Sequence, residues 1–507
     1  MKLTFKEYKD KVKACWLGKN IGGTLGAPLE GVRGVYDLDF YTHDLSLGVL
    51  PNDDLDLQLV WLNAAEQYGK KVDAEILGEY WLSYIVADWS EYGACKSNLR
   101  YGIAPPISGW YKNRNKDSCG AFIRSEVWAC LAPGHPEIAV KYAYEDAICD
   151  HADEGVYGEL FCAALQSAAF MEKDMKKLVD IAKAYIPADC DVAKAVDTAI
   201  ECYESGKTWK EARKIMLQTV PGSFGLYKGY VDCEPEADVP DGVLGYDAPN
   251  NIGLMMIGWL YGEGDFSKSI CIAAGCGEDA DCSAGTLGAT LGIIYGTECI
   301  EEKWLQPIGD EIKTISLDLT KAPQSGFVIP FTVSELSRRV INLMPTFMNG
   351  LYDLNDAGEI VFNEVEEPSR GDFWGGTITT LNLKDELCAP AVSVRKSNHL
   401  FDVRVVYADG NPYVKADEPK KFKMRFLNKL HNQQNLDMKL HLPEEWKAQP
   451  SAIMSVSLDN PHGGESITEY EFEIVPEVIN KGRYDILLEI KSSGRAMMTY
   501  IPITLLS

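Results

Sequence analysis

The chain has little histidine and little positive charge for its size. Histidine supplies only seven of its 507 residues, and no two are four positions apart, as the ligands of a zinc-binding helix are. Lys and Arg number 49 against 75 Asp and Glu, which gives a formal net charge of -26. Because the chain has no excess of cations to neutralise phosphates, we expect neither a nucleic acid nor an anionic membrane as a partner. A histidine-based zinc enzyme is disfavoured, and so is a metal phosphohydrolase of the HD type, since no histidine precedes His43-Asp44.

Long apolar runs and paired cysteines are also missing. No stretch reaches the ~18 apolar residues that a membrane span requires, and the first residues carry charges every few positions, unlike a signal peptide. The 14 cysteines include no CxxC motif. Because a chain of this length does not need disulfides for stability, we expect buried free thiols. These features predict a soluble, cytoplasmic protein, and they leave its oligomeric state open.

The spacing of the apolar residues changes near residue 348. Before this point they recur three and four positions apart, which is typical of amphipathic helices. After it they alternate, as in Phe422, Met424 and Phe426, which is typical of half-buried strands. We therefore predict a mainly α domain over residues 1–348, followed by an all-β, immunoglobulin-like sandwich over residues 349–507.

Two stripes of glycine and one irregular segment stand out in the helical part. The stripes have a spacing of four and consist of Gly18, Gly22 and Gly26, and of Gly288, Gly292 and Gly296. Since each helical glycine costs about 0.8 to 1 kcal/mol relative to alanine, the stripes predict two central helices with closely packed backbones. A membrane GxxxG face is disfavoured because the apolar stretch is too short. Residues 221–251, rich in Pro, Gly and Asp, are predicted to form a long ordered loop.

Two acidic clusters lie where helices are expected to begin. Asn52 is suited to cap a helix that starts at Asp53, and Asp279 and Asp281 precede the second glycine stripe. Acids in a first turn are ordinarily explained by the helix dipole. If the two helix starts converge, however, Asp53, Asp54, Asp279 and Asp281 repel one another strongly unless cations compensate. Oxygen ligands favour hard ions, so we expect a pair of Mg²⁺ or Mn²⁺ ions, which can orient hydroxyls and activate water.

Four stretches of the chain resemble the ADP-ribosylglycohydrolase family. The first is the small-residue segment that ends in the Gly-Ala-Pro turn before Glu30, and the second is Asn-Asp-Asp at residues 52–54. The third contains a Gly-Ala-x-x-Arg segment and a later His-x-Asp segment. The fourth is Asp-x-Asp at residues 279–281, followed by the glycine-rich helix. They occur in the family's order between about residues 14 and 296.

The resemblance implies a fold, an activity and a set of site residues. The fold is a mainly α, orthogonal helical bundle, and the activity is hydrolysis of the glycosidic bond in a small-molecule or protein-linked ADP-ribose conjugate. Water oriented by the metal pair attacks the anomeric carbon, with Glu30 as general acid/base and Asp54 as a second catalytic residue. The implied ligands of the two Mg²⁺ or Mn²⁺ ions are Asn52, Asp53, Asp54, Asp279 and Asp281. The implied substrate-binding residues are Gly120, Ala121, Arg124, His151 and Asp153.

Three positions depart from the family pattern. Asn52 stands in place of Thr, Cys282 in place of Ser or Thr, and Cys119 in place of Asn. A thiol is a poor ligand for Mg²⁺, so the surroundings of the expected site differ from those of the family. Two alternatives therefore remain, namely hydrolysis of a different glycoside and a non-catalytic protein that binds ADP-ribose or a partner. The linkage cleaved, the physiological substrate and the role of the β domain stay open.

Overall fold

The computed structural model describes residues 2–220, 245–319, 327–363, 387–430, 432–460 and 467–507. Within these ranges, sixteen α-helices precede eleven β-strands. This order confirms the predicted fold class of a mainly helical body followed by a β region. No helix in the described ranges is long and apolar enough to cross a membrane.

The helices are numbered in chain order. The first eight are α1 (Phe5–Gly26), α2 (Asp53–Tyr68), α3 (Ala74–Tyr84), α4 (Ser90–Arg100), α5 (Ile107–Trp110), α6 (Glu126–Leu131), α7 (Pro136–Ala147) and α8 (Glu154–Ala169). The remaining eight are α9 (Met175–Lys183), α10 (Asp191–Glu204), α11 (Trp209–Thr219), α12 (Ala248–Gly262), α13 (Phe266–Gly275), α14 (Ala280–Tyr295), α15 (Glu302–Ile308) and α16 (Val333–Phe347).

Helices α1 and α14 form the tightest contact of the helical body, and glycine makes it possible. A Cβ atom added to Gly18 would lie 2.1 Å from the Gly288 carbonyl oxygen, and one added to Gly22 would lie 2.2 Å from the Ala284 carbonyl oxygen. Residue numbers rise along one helix as they fall along the other, so the helices are antiparallel. The predicted close packing is confirmed for both stripes. Gly296 differs, since it follows α14 with a φ of 78° and ends the helix.

The predicted loop over residues 221–251 lies mostly outside the described residues. Its last part differs from the prediction, because α12 begins at Ala248 and includes residues 248–251. Pro249 stands in the first turn of α12, where the missing amide hydrogen costs no helical hydrogen bond.

The β region consists of a hairpin and two larger antiparallel sheets. The hairpin joins β1 (Tyr352–Leu354) to β2 (Ile360–Phe362). One sheet has four strands in the order β11-β10-β6-β8 and the other has five in the order β3-β4-β5-β9-β7. The strands of these sheets are β3 (Ser393–Ser397), β4 (Phe401–Tyr407), β5 (Lys420–Asn428), β6 (Gln434–His441), β7 (Trp446–Gln449), β8 (Ile453–Leu458), β9 (Ile467–Pro476), β10 (Arg483–Ser492) and β11 (Met498–Leu506).

The two larger sheets pack face to face around one apolar core. Phe422, Met424 and Phe426 of β5 are at most 1 % exposed, and they share this core with Ile486 and Leu488 of β10. The residues between them face outward, as alternation along a strand requires. The predicted sandwich is therefore confirmed as a two-sheet structure.

The hairpin packs on the helical body and not on the sandwich. The ring of Phe362 lies edge-on to that of Tyr8, with the ring centroids 5.4 Å apart. Conversely, two residues from the helical part of the chain, Ile103 and Ile107, belong to the apolar core of the sandwich. A cavity of about 780 Å³ lies between the helical body and the sandwich, but its lining contains none of the predicted site residues. The division at 348/349 stays a prediction.

The α1–α14 contact predicts the effect of adding one methyl group. In Gly288→Ala, the new Cβ would lie 2.3 Å from the Gly18 carbonyl oxygen, so the helices must separate. We expect a loss of about 1 to 3 kcal/mol in the free energy of unfolding, measured in urea. Gly482→Ala is the control, because nothing lies within 4 Å of its added Cβ. Equal stability of the two variants would contradict the proposed role of the glycine stripes.

Candidate metal and active site

The α1–α14 contact brings the end of one helix beside the start of the other. Because the helices are antiparallel, Gly26 at the end of α1 packs on Ala280 and Asp281 at the start of α14. The chain after α1 continues this pairing, since the Gly31 amide donates to the Glu278 carbonyl oxygen over 2.7 Å. Glu30 is therefore held next to Asp279 and Asp281.

The first turn of α2 enters the same region through space left by two further glycines. A Cβ added to Gly23 would lie 2.7 Å from Asn52 Nδ2, and one added to Gly285 would lie 3.3 Å from Asp54 Oδ2. The absence of these methyl groups leaves room for the side chains of Asn52 and Asp54. Thus three helix termini meet at one place.

Asn52 caps α2 and at the same time links the two acidic clusters. Its Oδ1 accepts from the Asp54 amide over 2.7 Å, which confirms the predicted N-cap. Its Nδ2 donates to Asp281 Oδ2 over 3.1 Å. Asp53 accepts from the Tyr92 hydroxyl over 3.1 Å, and Asp54 Oδ1 accepts from Cys282 Sγ over 3.4 Å.

The start of α14 is held from the other side by α12. The Asp279 amide donates to Asn251 Oδ1 over 3.2 Å, and the Asp279 side chain makes no capping hydrogen bond to the helix. One oxygen each from Glu30, Asp279 and Asp281 lie within 4.8 Å of one another. Asp54, Asp281 and Cys282 form a second such group. The two acidic clusters predicted from the sequence are thus adjacent in space.

The proximity of these acids raises the pKa values of their carboxyl groups. The pKa of Glu30 rises to about 10, mainly because of the negative charge of Asp281 and then because of burial of the carboxyl group, although the residue as a whole is exposed. Burial followed by the charge of Asp54 raises the pKa of Asp281 to about 7 and that of Asp53 to about 6. Burial also raises the pKa of Asp279. Burial is the largest cause for the three aspartates, and the negative charge of neighbouring groups adds to it.

The sequence patterns did not predict Lys19, Tyr92 or Asn251 as residues of this region, and Lys19 brings a buried charge to it. Its Nζ lies 3.1 Å from Asp54 Oδ2 and 3.4 Å from Glu126 Oε1, and it donates to Thr286 Oγ1 over 3.1 Å. Lys19 is only 2 % exposed, so this cation is part of the interior. In the described part of the chain, no other Lys or Arg forms an ion pair with the clustered acids. The signal in the sequence was a lysine within a helix of small and apolar residues.

The donor atoms of the cluster fit bound divalent cations. Asp279 Oδ1 and Asp281 Oδ1 are buried and accept no hydrogen bond from any described residue. Such carboxylate oxygens are costly in a protein interior unless a hydrogen bond or a cation satisfies them. The two aspartates at the start of α14 therefore present unused acceptor atoms beside the acids of the other two chain segments.

Three of the predicted substrate-binding residues are buried beside this cluster. Gly120 packs against Glu91 and His151, because an added Cβ would lie 2.3 Å from Glu91 Oε1 and 3.2 Å from His151 Cε1. Ala121 is fully buried as well. Arg124 has no exposed surface, and it donates to Asp146 over 2.8 Å and to Asp150 over 3.0 Å. The guanidinium group of Arg124 thus neutralises interior acids.

The other two predicted substrate-binding residues differ in exposure. His151 is fully buried, with Nε2 2.7 Å from Ser118 Oγ and Nδ1 2.9 Å from Asp150 Oδ1. Asp153 has a φ of 51°, and its half-exposed side chain pairs with Lys116. His151 therefore supports residues 118–120 from within, and a role in substrate binding for either residue stays a prediction.

Comparisons with known proteins identify the family of the chain. The family model of the ADP-ribosylglycohydrolases matches residues 4–326, which is more than half of the chain. The chain therefore belongs to the ADP-ribosylglycohydrolase family, and this membership supports a glycohydrolase function. No curated protein sequence matches the chain significantly.

The structure search matched the chain to two solved structures, among others, each over a different share of its length. A structure titled "ADP-ribosylglycohydrolase-related protein complex" is 20% identical with a TM-score of 0.43, over 68% of this chain and 100% of that one. A FixG-related protein from Vibrio parahaemolyticus is 6% identical with a TM-score of 0.17, over 22% of this chain and 98% of that one. Both TM-scores are low, so the assignment to the family depends on the family model.

Removing the buried cation tests its role in holding the site. In Lys19→Met, Asp54 and Glu126 lose their shared counterion in the interior, which we expect to cost about 3 to 5 kcal/mol of unfolding free energy. Lys194→Met is the control, because its ion pair with Asp191 is more than half exposed and contributes at most about 1 kcal/mol. Urea unfolding of the metal-free proteins measures both. A Lys19→Met variant as stable as the wild type would exclude this role.

Proposed function

We propose that the chain is a metal-dependent hydrolase that cleaves the glycosidic bond of an ADP-ribosyl group. The observation that supports this most directly is the convergence of Glu30, Asp53, Asp54, Asp279 and Asp281 where three helix termini meet. Membership of the ADP-ribosylglycohydrolase family supplies the class of substrate.

The acids at the two helix starts would hold a pair of divalent cations. The carboxylates of Asp53, Asp279 and Asp281, together with the side-chain oxygens of Asn52 and Asp54, would supply the ligands. Oxygen ligands suit Mg²⁺ or Mn²⁺. When bound, such cations supply positive charge that orients sugar hydroxyls and lowers the pKa of water. The raised carboxyl pKa values of the cluster support this proposal, because burial and the negative charges of neighbouring acids both raise them and a bound cation would offset both effects.

Glu30 is the best candidate for the proton-transferring group. Glu30 is exposed, whereas Asp54, Asp279 and Asp281 are buried and Asp53 is half-buried, so a substrate can reach Glu30. In the metal-free protein, the charge of Asp281 and then burial raise the pKa of Glu30 to about 10, so its carboxyl group holds a proton near neutral pH before cations bind. In glycoside hydrolysis such a group protonates the leaving oxygen or nitrogen. We therefore assign Glu30 the role of general acid.

Asp54, also predicted to be catalytic, is better suited to holding a cation in a fixed place than to transferring a proton. It is 2 % exposed, and its two oxygens face Lys19 and Cys282. This arrangement fixes the orientation of Asp54 at the start of α2. Tyr92 similarly fixes Asp53 through its hydroxyl group.

Two substitutions separate cation binding from proton transfer. We expect Asp281→Asn to lose both activity and the rise in melting temperature that Mg²⁺ or Mn²⁺ produces. The reason is that the Asp281 carboxylate lies both in the group with Glu30 and Asp279 and in the group with Asp54 and Cys282. Glu30→Gln is expected to retain the thermal shift and to lower turnover about 10²- to 10⁴-fold, because the amide cannot give up a proton as the acid does. Release of ADP-ribose from arginine-linked, serine-linked and O-acetyl conjugates measures turnover, beside a panel of simple glycosides.

Asp265→Asn is the control for these measurements. Asp265 is also an acidic helix cap, with its Oδ1 accepting from the Lys268 amide over 2.7 Å, but it caps α13 away from the cluster. We expect this variant to behave as the wild type. A fully active Glu30→Gln variant would remove the assigned role of Glu30. A wild-type protein whose melting temperature neither cation changes would contradict the proposed function.

A further inference from the structure

Two cysteines from distant parts of the chain lie on one side of the acidic cluster. Cys282 is in the first turn of α14, and Cys119 lies in the segment that pairs with residues 246–247 through its amide and the Ser118–Asp247 bridge. The two thiol sulfurs and one Asp279 oxygen lie within 4.8 Å of one another. All three residues are at most 6 % exposed, and both cysteines are free thiols.

The aspartate of this group has an unused acceptor atom. Asp279 Oδ1 is buried and accepts no hydrogen bond from the residues that the structure describes. The Asp279 amide, by contrast, is satisfied by Asn251. The Asp279 carboxylate makes no capping hydrogen bond to α14 and offers one oxygen to the group that contains the two thiols, so it is available as a ligand.

The identity of these donor atoms selects a particular class of cation. Thiolates are soft ligands that favour Zn²⁺ over Mg²⁺ or Mn²⁺, whereas a carboxylate oxygen serves all three. Tetrahedral zinc with Zn–S near about 2.3 Å and Zn–O near about 2.0 Å places its ligand atoms roughly 3.5 to 3.8 Å apart. The three donor atoms of this group lie within 4.8 Å of one another, so an approach of at most about 1.3 Å brings them to these separations.

We propose that Cys119, Cys282 and Asp279 bind one Zn²⁺ ion, so that the site combines a zinc position with a hard-ion position on the side of Asn52, Asp53 and Asp281. This inference rests on the proposed function and refines it, because it assigns Zn²⁺ to the one of the two cation positions that Asp279 serves and leaves the other to Mg²⁺ or Mn²⁺. Each thiol gives its proton to the solvent when it binds the ion. Three protein ligands leave one position open, as in catalytic rather than structural zinc sites.

A competition experiment tests the preference for zinc. The full chain is reduced with a phosphine, stripped of metal and dialysed against limiting Zn²⁺ in excess Mn²⁺, and bound metals are then measured by mass spectrometry. We expect about one zinc ion per chain in the wild type and nearly none in Cys119→Ser/Cys282→Ser. Cys271→Ser is the matched control, because Cys271 is as buried as Cys282, at 6 % exposed, but lies in α13.

A second measurement needs no variant. Co²⁺ in place of Zn²⁺ gives an intense near-ultraviolet band only when thiolates coordinate it, and we expect this band in the wild-type protein. Absence of the band, or equal zinc in the wild type and the double variant, overturns the inference. Uptake of Mn²⁺ with release of ADP-ribose but without zinc overturns the inference alone. Failure to bind either ion overturns the proposed function as well.

Discussion

The close antiparallel contact between α1 and α14 is the constraint on which the rest of the structure depends. Its glycines allow carbonyl groups of one helix to occupy the space that side chains would fill on the other. The contact fixes the register of the two helices, and the register places Glu30 beside Asp279 and Asp281. Each glycine in a helix interior is about 0.8 to 1 kcal/mol less favourable than alanine, so the close contact is obtained at the expense of helix propensity.

Convergence of the helix starts creates an electrostatic problem that the protein solves in two ways. Lys19 provides one buried cation between Asp54 and Glu126, and it reaches the cluster from within α1 itself. The remaining acids have raised carboxyl pKa values and unused oxygen atoms, which is the environment that divalent cations stabilise. The same helix starts place backbone amides toward the cluster, so the dipoles of α2 and α14 also favour its negative charge.

Much of this arrangement was predictable, because it is encoded in local patterns. The glycine stripes predicted the α1–α14 contact, Asn52 predicted the start of α2, and alternation predicted the buried face of β5. The role of Lys19 was not predictable, because its partner Thr286 lies 267 positions away and no local periodicity records such a contact. The burial of Arg124 could not be predicted from local patterns either. Its counterions are Asp146 in α7 and Asp150 in the turn after α7.

The central claim is that two distant acidic helix starts together hold cations. Anomalous diffraction from crystals grown with Mn²⁺ tests it most directly, because the signal locates the metal independently of any assay. The account predicts an anomalous peak within coordination distance of the carboxylates of Asp53 and Asp281. A well-ordered cluster without a peak, or a peak only at another part of the surface, would contradict it.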